Sequence, residues 1–328
     1  MSTIKVNTIE STSSGGVAAK LASINDGALS FRNLIHNSSF EVWQRGTSSG
    51  SGASGGNRYT ADRWSVPNRT RVAQSTDVPA GFKYAILLDR EQTGGTEPFT
   101  LSQGVAASHI RDTGSYTLSF YAKSSDISSV NINVQDRTTV GEGGTNHSSI
   151  VTNQAITISS SWARYTHTFT LSSTSLTGTC LRISIGNTSA SQNDELLLTG
   201  IQLETGSVAT EIERRYYGLE LQLCKRFYQS AGQRHFGATE GTTQFRILVP
   251  LEPPMRASPT VTVRSGGIFN TRYAGDTSIT NPTLSSPRSD SRGVWTGITT
   301  SGRTNGIPIY GRMQQGDTGD FLSCEAEL

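Results

Sequence analysis

The chain has 328 residues, 34% of them hydrophobic and 16% charged, and its 28 Lys and Arg nearly balance its 26 Asp and Glu. That length allows two domains or more, the apolar and aromatic content excludes disorder throughout, and a net charge of +2 gives no field to gather nucleic acid or an anionic membrane. Modest apolar content with plentiful Gly, Ser and Thr suits an all-β protein of short strands and polar turns.

Residues 1–32 read as a separate opening segment. "TIKVNTI" alternates Ile4 and Val6 with polar residues, as a short strand does, and "ESTSSGG" breaks it. Such a segment is too short to bury a core and must pair with another chain or dock on a partner. The N-terminus lacks a charged region followed by an apolar one, and no apolar run is long enough to span a bilayer. No membrane insertion is expected.

Residues 33–210 read as one β domain. Strand alternation puts Tyr116, Leu118 and Phe120 on one face, then Val130, Ile132 and Val134, then Leu181, Ile183 and Ile185. Strands at this spacing, with turns between them and no helix-length runs, predict a sandwich of the jelly-roll kind. Residues 211–232 differ. Ile212, Tyr216, Leu219, Leu223 and Phe227 recur at steps of three and four, which predicts a linker helix over 211–229. It either packs on its own domain or is shared between subunits, with Leu219, Leu223 and Phe227 at the interface. Residues 233–328 return to β structure: Phe245, Ile247 and Val249, a proline-rich turn, then Val261 and Val263. A second, smaller β-sandwich is expected there.

Catalytic signals are thin. Gly52-Ala53-Ser54-Gly55-Gly56 matches a hydrolase elbow in form, but it lies in a low-complexity loop with no strand before it and no helix after it. The five histidines, His36, His109, His147, His167 and His235, show no metal-binding spacing, and there is no phosphate loop or dinucleotide fingerprint. Asp194 and Glu195 are adjacent, so on a strand they point to opposite faces and form no catalytic dyad by themselves. Cys180, Cys224 and Cys324 are odd in number and far apart, which argues against a zinc site or a disulfide framework and for buried, reduced thiols. The chain is expected to be no enzyme and to need no cofactor.

One pair of motifs is specific. "NLIHNSSFEVWQRG" at 33–46 with "YTADRW" at 59–64 resembles the opening of a domain found in tail-fibre and related virion proteins of tailed phages. "GIQLETGSVATEIERRYYGLELQLCKRFYQ", residues 200–229, is similar to that domain's close, and "VPLEPPMRASPTVTV" to the strand that opens its C-terminal partner. The resemblance implies a jelly roll like a carbohydrate-binding module, a homotrimer, and a virion protein assembled in the host cytoplasm. Residues 1–32 would attach it to tail or baseplate proteins, and its distal domain would meet host surface polysaccharide. The resemblance also implies a structural calcium, for which Glu41 with Asp194 or Glu195 are the candidates, although two carboxylates are few for that ion. An adaptor, neck or capsid decoration protein is the first alternative, and a polysaccharide depolymerase the second.

With the N-terminus at the particle, the receptor surface falls on the C-terminal domain. Arg272, Tyr273, Trp295 and Tyr310 stand there among Gly, Ser and Asn turns and are the candidate glycan contacts. Trp295 taken alone suits the small domain's core somewhat better, and Tyr273, set among turn residues, is the better surface candidate. Trp43, Tyr59 and Trp64 are expected to fix the first strands to the sheet, with Arg45 and Arg63 hydrogen-bonded around them; their functional alternative is sugar stacking.

Overall fold

A computed structural model describes residues 23–24, 27–28, 31–50, 56–90, 99–110, 112–140, 145–173, 176–187, 191–231, 234–264, 268–272, 276–280, 283–299, 308–312 and 321–327. The expected strand at Ile4 and Val6 lies outside them. Two minimal strands, β1 (Ser23–Ile24) and β2 (Gly27–Ala28), pair with each other ahead of the first domain.

The first domain is a jelly-roll β-sandwich. Its strands are β3 (Ser48–Ser49), β4 (Asn57–Tyr59), β5 (Ser65–Pro67), β6 (Arg71–Ser75), β7 (Ala85–Asp89), β8 (Phe99–Ala106), β9 (Gly114–Lys123), β10 (Ser129–Arg137), β11 (Asn146–Thr157), β12 (Ala163–Leu171), β13 (Cys180–Asn187) and β14 (Glu195–Thr205). They form two six-stranded sheets, ordered β11-β10-β13-β8-β5-β4 and β12-β9-β14-β7-β6-β3, with all pairings antiparallel. From β7 onward the chain passes repeatedly from one sheet to the other, the two-layer solution that lets each sheet bury one face. The inward sets Tyr116, Leu118 and Phe120, then Val130, Ile132 and Val134, then Leu181, Ile183 and Ile185, all lie in one core with Phe40 and Trp64.

The linker helix is shorter than the apolar spacing predicts: α1 covers Tyr217–Lys225 alone. Residues 211–216 are extended because their polar groups are used elsewhere. The Glu213 N–H donates to Gln202 Oε1 at 2.7 Å, the Glu213 carboxylate accepts the Asn33 N–H at 2.7 Å, and Arg215 donates to the Ile35 carbonyl at 3.1 Å. This strap ties the close of the domain to its opening, and tertiary hydrogen bonds override local helix preference.

The C-terminal domain is a smaller β-sandwich. β15 (Tyr228–Ala231), β16 (Arg234–Glu240), β17 (Gln244–Pro250), β18 (Thr260–Val263), β19 (Ile268–Arg272), β20 (Asp276–Thr280), β21 (Leu284–Asp290), β22 (Gly293–Thr299), β23 (Pro308–Arg312) and β24 (Leu322–Glu325) complete the chain. A five-stranded sheet, β21-β22-β17-β16-β23, faces a three-stranded one, β15-β24-β18, while β19 and β20 make a separate hairpin. Phe245, Ile247, Val249, Val294 and Ile298 from the larger sheet meet Ala231, Leu322 and Cys324 from the smaller. The three cysteines are buried and form no disulfide among the described residues. No helix among the described residues is long and apolar enough to cross a membrane.

Candidate functional site

The two motifs that carry the resemblance meet at the joint between the domains. Asn37, with φ of 51°, turns the chain so that its amide donates to the Val42 and Asp62 carbonyls at 2.8 and 3.0 Å and its Oδ1 accepts the Val42 N–H at 3.0 Å. The Trp64 indole donates to the Asn37 carbonyl at 3.0 Å. Glu220 of α1 accepts the Asn37 N–H at 2.5 Å. Asn37, Asp62 and Trp64 are therefore scaffold, their polar groups spent on holding the opening loop in place.

Two arginines then cross to the C-terminal domain. Arg63 donates to the Gly104 carbonyl at 2.7 Å, pairs with Glu327, and lies 3.5 Å above the Phe227 ring. Arg45 reaches Glu325 and Glu327 at 3.2 Å each and lies 3.7 Å above the Tyr228 ring. The planar guanidinium suits this double use, bonding carboxylates at its edge and stacking on rings by its face. Asp62 accepts Gln44 Nε2 at 2.5 Å and stands 3.7 Å from Arg45. Burial pushes its carboxyl up to about 6, more than Arg45 and Gln44 pull it down. Burial, reinforced by Arg63 and Arg215, holds the His36 imidazole well below its ordinary value.

This joint settles where one predicted interface residue goes. Phe227 is buried within its own chain, against Arg63, Val140 and Cys180, so it faces no neighbouring subunit. Leu223 is half-buried, and Leu219 is 40% exposed.

The outer face of the five-stranded sheet differs. The register places Phe236 opposite Leu248, Leu248 opposite Trp295, and Trp295 opposite Arg288. Directly opposed residues on one face touch side by side. Phe236 is 63% exposed, and Leu248 and Trp295 are each 44% exposed. Trp295 is thus on the surface and not in the small domain's core. Leu248, Trp295, Arg288, Asp290 and Arg292 line an open hollow of about 350 Å³. Asp290 Oδ1 accepts the Arg292 and Gly293 N–H groups at 2.7 and 3.0 Å, which fixes the hairpin that forms one wall. Arg288 and Arg292 are exposed beside the indole.

Tyr310 pairs with Phe236 from β23, so the row of opposed residues extends to it along the sheet. Arg272 ends β19, in the separate hairpin that packs beside β23 of the five-stranded sheet, and Tyr273 lies outside the described residues. Sequence reasoning missed Phe236, Leu248 and Arg288. A signal was present at Leu248: Phe245, Ile247 and Val249 point inward, so an apolar residue between them must face out.

The calcium pair is not assembled. Glu41 lines a groove beside Lys83, whereas Asp194 closes a turn by accepting the Ser191 N–H at 2.6 Å. Among the described residues no three His, Cys, Asp or Glu side chains converge as a metal site needs.

No protein-family model and no curated protein matches the chain. Among solved structures, it is similar to a xylan-binding CBM22 domain from Paenibacillus barcinonensis, at 16% identity over 58% of this chain and 100% of that one, with a TM-score of 0.35. It is also similar to the enzymatically active domain of bacteriophage CBA120 tailspike protein 4, at 14% identity over 53% of this chain and 21% of that one, TM-score 0.35. A CBM61 domain in complex with β-1,4-galactotriose matches at 16% identity over 52% of this chain and 97% of that one, TM-score 0.30. These scores are too low to say what the chain binds; the sandwich rests on its own sheets.

Proposed function

We propose that this chain is a receptor-binding virion protein, a short tail fibre of a tailed phage, that grips a host surface polysaccharide with the outer face of its C-terminal sheet. The observation that carries this reading is the exposed row Phe236, Leu248 and Trp295 with Arg288 and Arg292 at its edge. An indole face stacks on the C–H face of a sugar ring, and guanidinium donors bond the ring's hydroxyls. An apolar row of this kind on a sheet face marks a binding surface more often than accident. The resemblance of the two motifs supports the virion part. Residues 1–32 would dock on the tail or baseplate, and Leu219 with Leu223 would lie toward a threefold axis.

The function is binding and not catalysis. Purified chain should compete with virions that carry it for adsorption to the host, and periodate oxidation of the cells should abolish the competition. Adsorption unchanged at saturating protein would overturn the receptor role in favour of a particle-cementing one. Release of reducing ends from host polysaccharide would overturn the non-catalytic one.

A further inference from the structure

A second surface, on the jelly roll, is also built to hold a ligand. Two hollows of about 390 and 380 Å³ meet at Glu41 and Lys83, and each is within the size of small-molecule sites, roughly 300–1,000 Å³. The first lies between Phe82 and Arg214, the second between Trp43, Tyr84 and Tyr217. Together they form one groove with an aromatic wall at each end.

Its walls are set in place. The Trp43 indole donates to the Phe40 carbonyl at 2.7 Å, and Gln74 donates to the same oxygen at 3.0 Å. Phe82 meets the Tyr121 ring edge-on at 5.1 Å, with Arg214 at 5.2 Å over its own ring. Arg214 is held in turn by the Gly81 carbonyl at 2.5 Å. Tyr217 is 52% exposed and stands at the rim.

Its centre is chemically unspent. Among the described residues, neither Glu41 nor Lys83 makes an ion pair or a side-chain hydrogen bond, and Lys83 lies 5.0 Å over the Tyr84 ring. A free carboxylate supplies acceptors and a free ammonium supplies donors at one place. Charge selects the ligand class. Lys83, Arg214 and Arg215 offset Glu41, Glu213 and Glu220 along the groove, so an anion or a cation gains no net field there.

We propose that this groove binds a neutral pyranose oligosaccharide. Rings stack on Trp43, Tyr84 and Tyr217, while their hydroxyls donate to Glu41 and accept from Lys83. The site is independent of the C-terminal face: no residue of that hollow lines it. A chain with both would hold a polysaccharide at two points, with the gain in avidity that linkage gives.

The test is calorimetric titration of the full chain with xylohexaose, cellohexaose and β-1,4-galactotriose, and with a polygalacturonate hexamer as the charged comparison. At least one neutral oligomer should bind, and the anionic one at least about tenfold more weakly. Tyr217→Ala should weaken the neutral ligand by about tenfold, the scale of one aromatic stack. The double variant Glu41→Gln with Lys83→Met should weaken it at least as much, and Trp295→Ala should leave it bound. In the unsubstituted chain, the same ligand should shift the indole N–H resonance of Trp43, which needs no variant to fold. Binding of none of the three neutral oligomers would overturn the proposal. So would equal affinity for the anionic one, an unmoved Trp43 signal, or loss through Trp295→Ala with the groove variants unaffected. If Trp295→Ala instead left binding to host polysaccharide unchanged while the groove variants weakened it, the C-terminal reading alone would fall.

Discussion

The domain joint and the outer face of the C-terminal sheet are made of the same side-chain types, arginines beside aromatic rings, yet they stand in opposite states. At the joint Arg63 is buried and Arg45 half-buried, stacked on Phe227 and Tyr228 and paired with Glu325 and Glu327. On the sheet Trp295 and Phe236 are exposed, with Arg288 and Arg292 open to solvent beside the hollow. A satisfied group is structure; an exposed ring with open donors at its side is a surface waiting for a partner. The composition of a motif does not distinguish the two, and the accounting of partners does.

The largest expected effect lies at the joint. Arg63→Met leaves Glu327 without its buried partner and the Gly104 carbonyl without its donor. Breaking one side of a buried pair costs on the order of 3–5 kcal/mol. Calorimetry should show the single transition of the intact chain splitting into two, as the domains lose their coupling. A single transition at an unchanged Tm would show that the arginine does not hold the domains together.

The next effect depends on pH. The folded Asp62 carboxyl sits at about 6, against an ordinary value of 3.8. The folded state therefore holds the proton more tightly, and the stability this gives is fully present below about 3.8 and lost as pH rises through 6. Asp62→Asn removes the titration. The unfolding free-energy advantage of the unsubstituted chain over the variant should grow as pH falls from 7 to 4, by an amount on the order of 2–3 kcal/mol, read by chemical denaturation at each pH. A gap that stays constant or shrinks toward acid would contradict the buried, proton-holding state.

A smaller effect belongs to the exposed row. Phe236→Ala should change stability by no more than about 0.5 kcal/mol, as surface substitutions do. It should weaken polysaccharide binding severalfold, since an aromatic contact is worth about 0.5–1.5 kcal/mol beyond its area. A large drop in Tm would place Phe236 in the fold and not on a binding face.

Much of the sandwich was legible in sequence because strand alternation is a local signal. Tyr116, Leu118 and Phe120 show it, and all three are buried. The structural role of Trp64 and Arg63 was legible too, but not their partners. Arg63 meets a residue 264 positions away and Arg45 one 280 away, and no local pattern encodes such a meeting. The helix was overextended for a related reason. The spacing from Ile212 to Phe227 is helical, yet hydrogen bonds to Gln202 and the opening loop hold its first part extended. On the outer face of the sheet, the sequence singled out Trp295, although it favoured the core for that residue alone, and passed over Phe236 and Leu248. Each is ordinary in its own strand, and only the register of β16, β17 and β22 sets them side by side.

The most direct test is the affinity of Trp295→Ala for polysaccharide, measured by biolayer interferometry against capsule and lipopolysaccharide from cells that adsorb the phage. With the jelly-roll groove weakened in both proteins by Tyr217→Ala, the added Trp295→Ala should weaken binding by at least about tenfold, or about 1.4 kcal/mol, while the melting temperature stays put. Equal binding by the two proteins would show that the indole faces solvent without a receptor, and would contradict the assignment of this face.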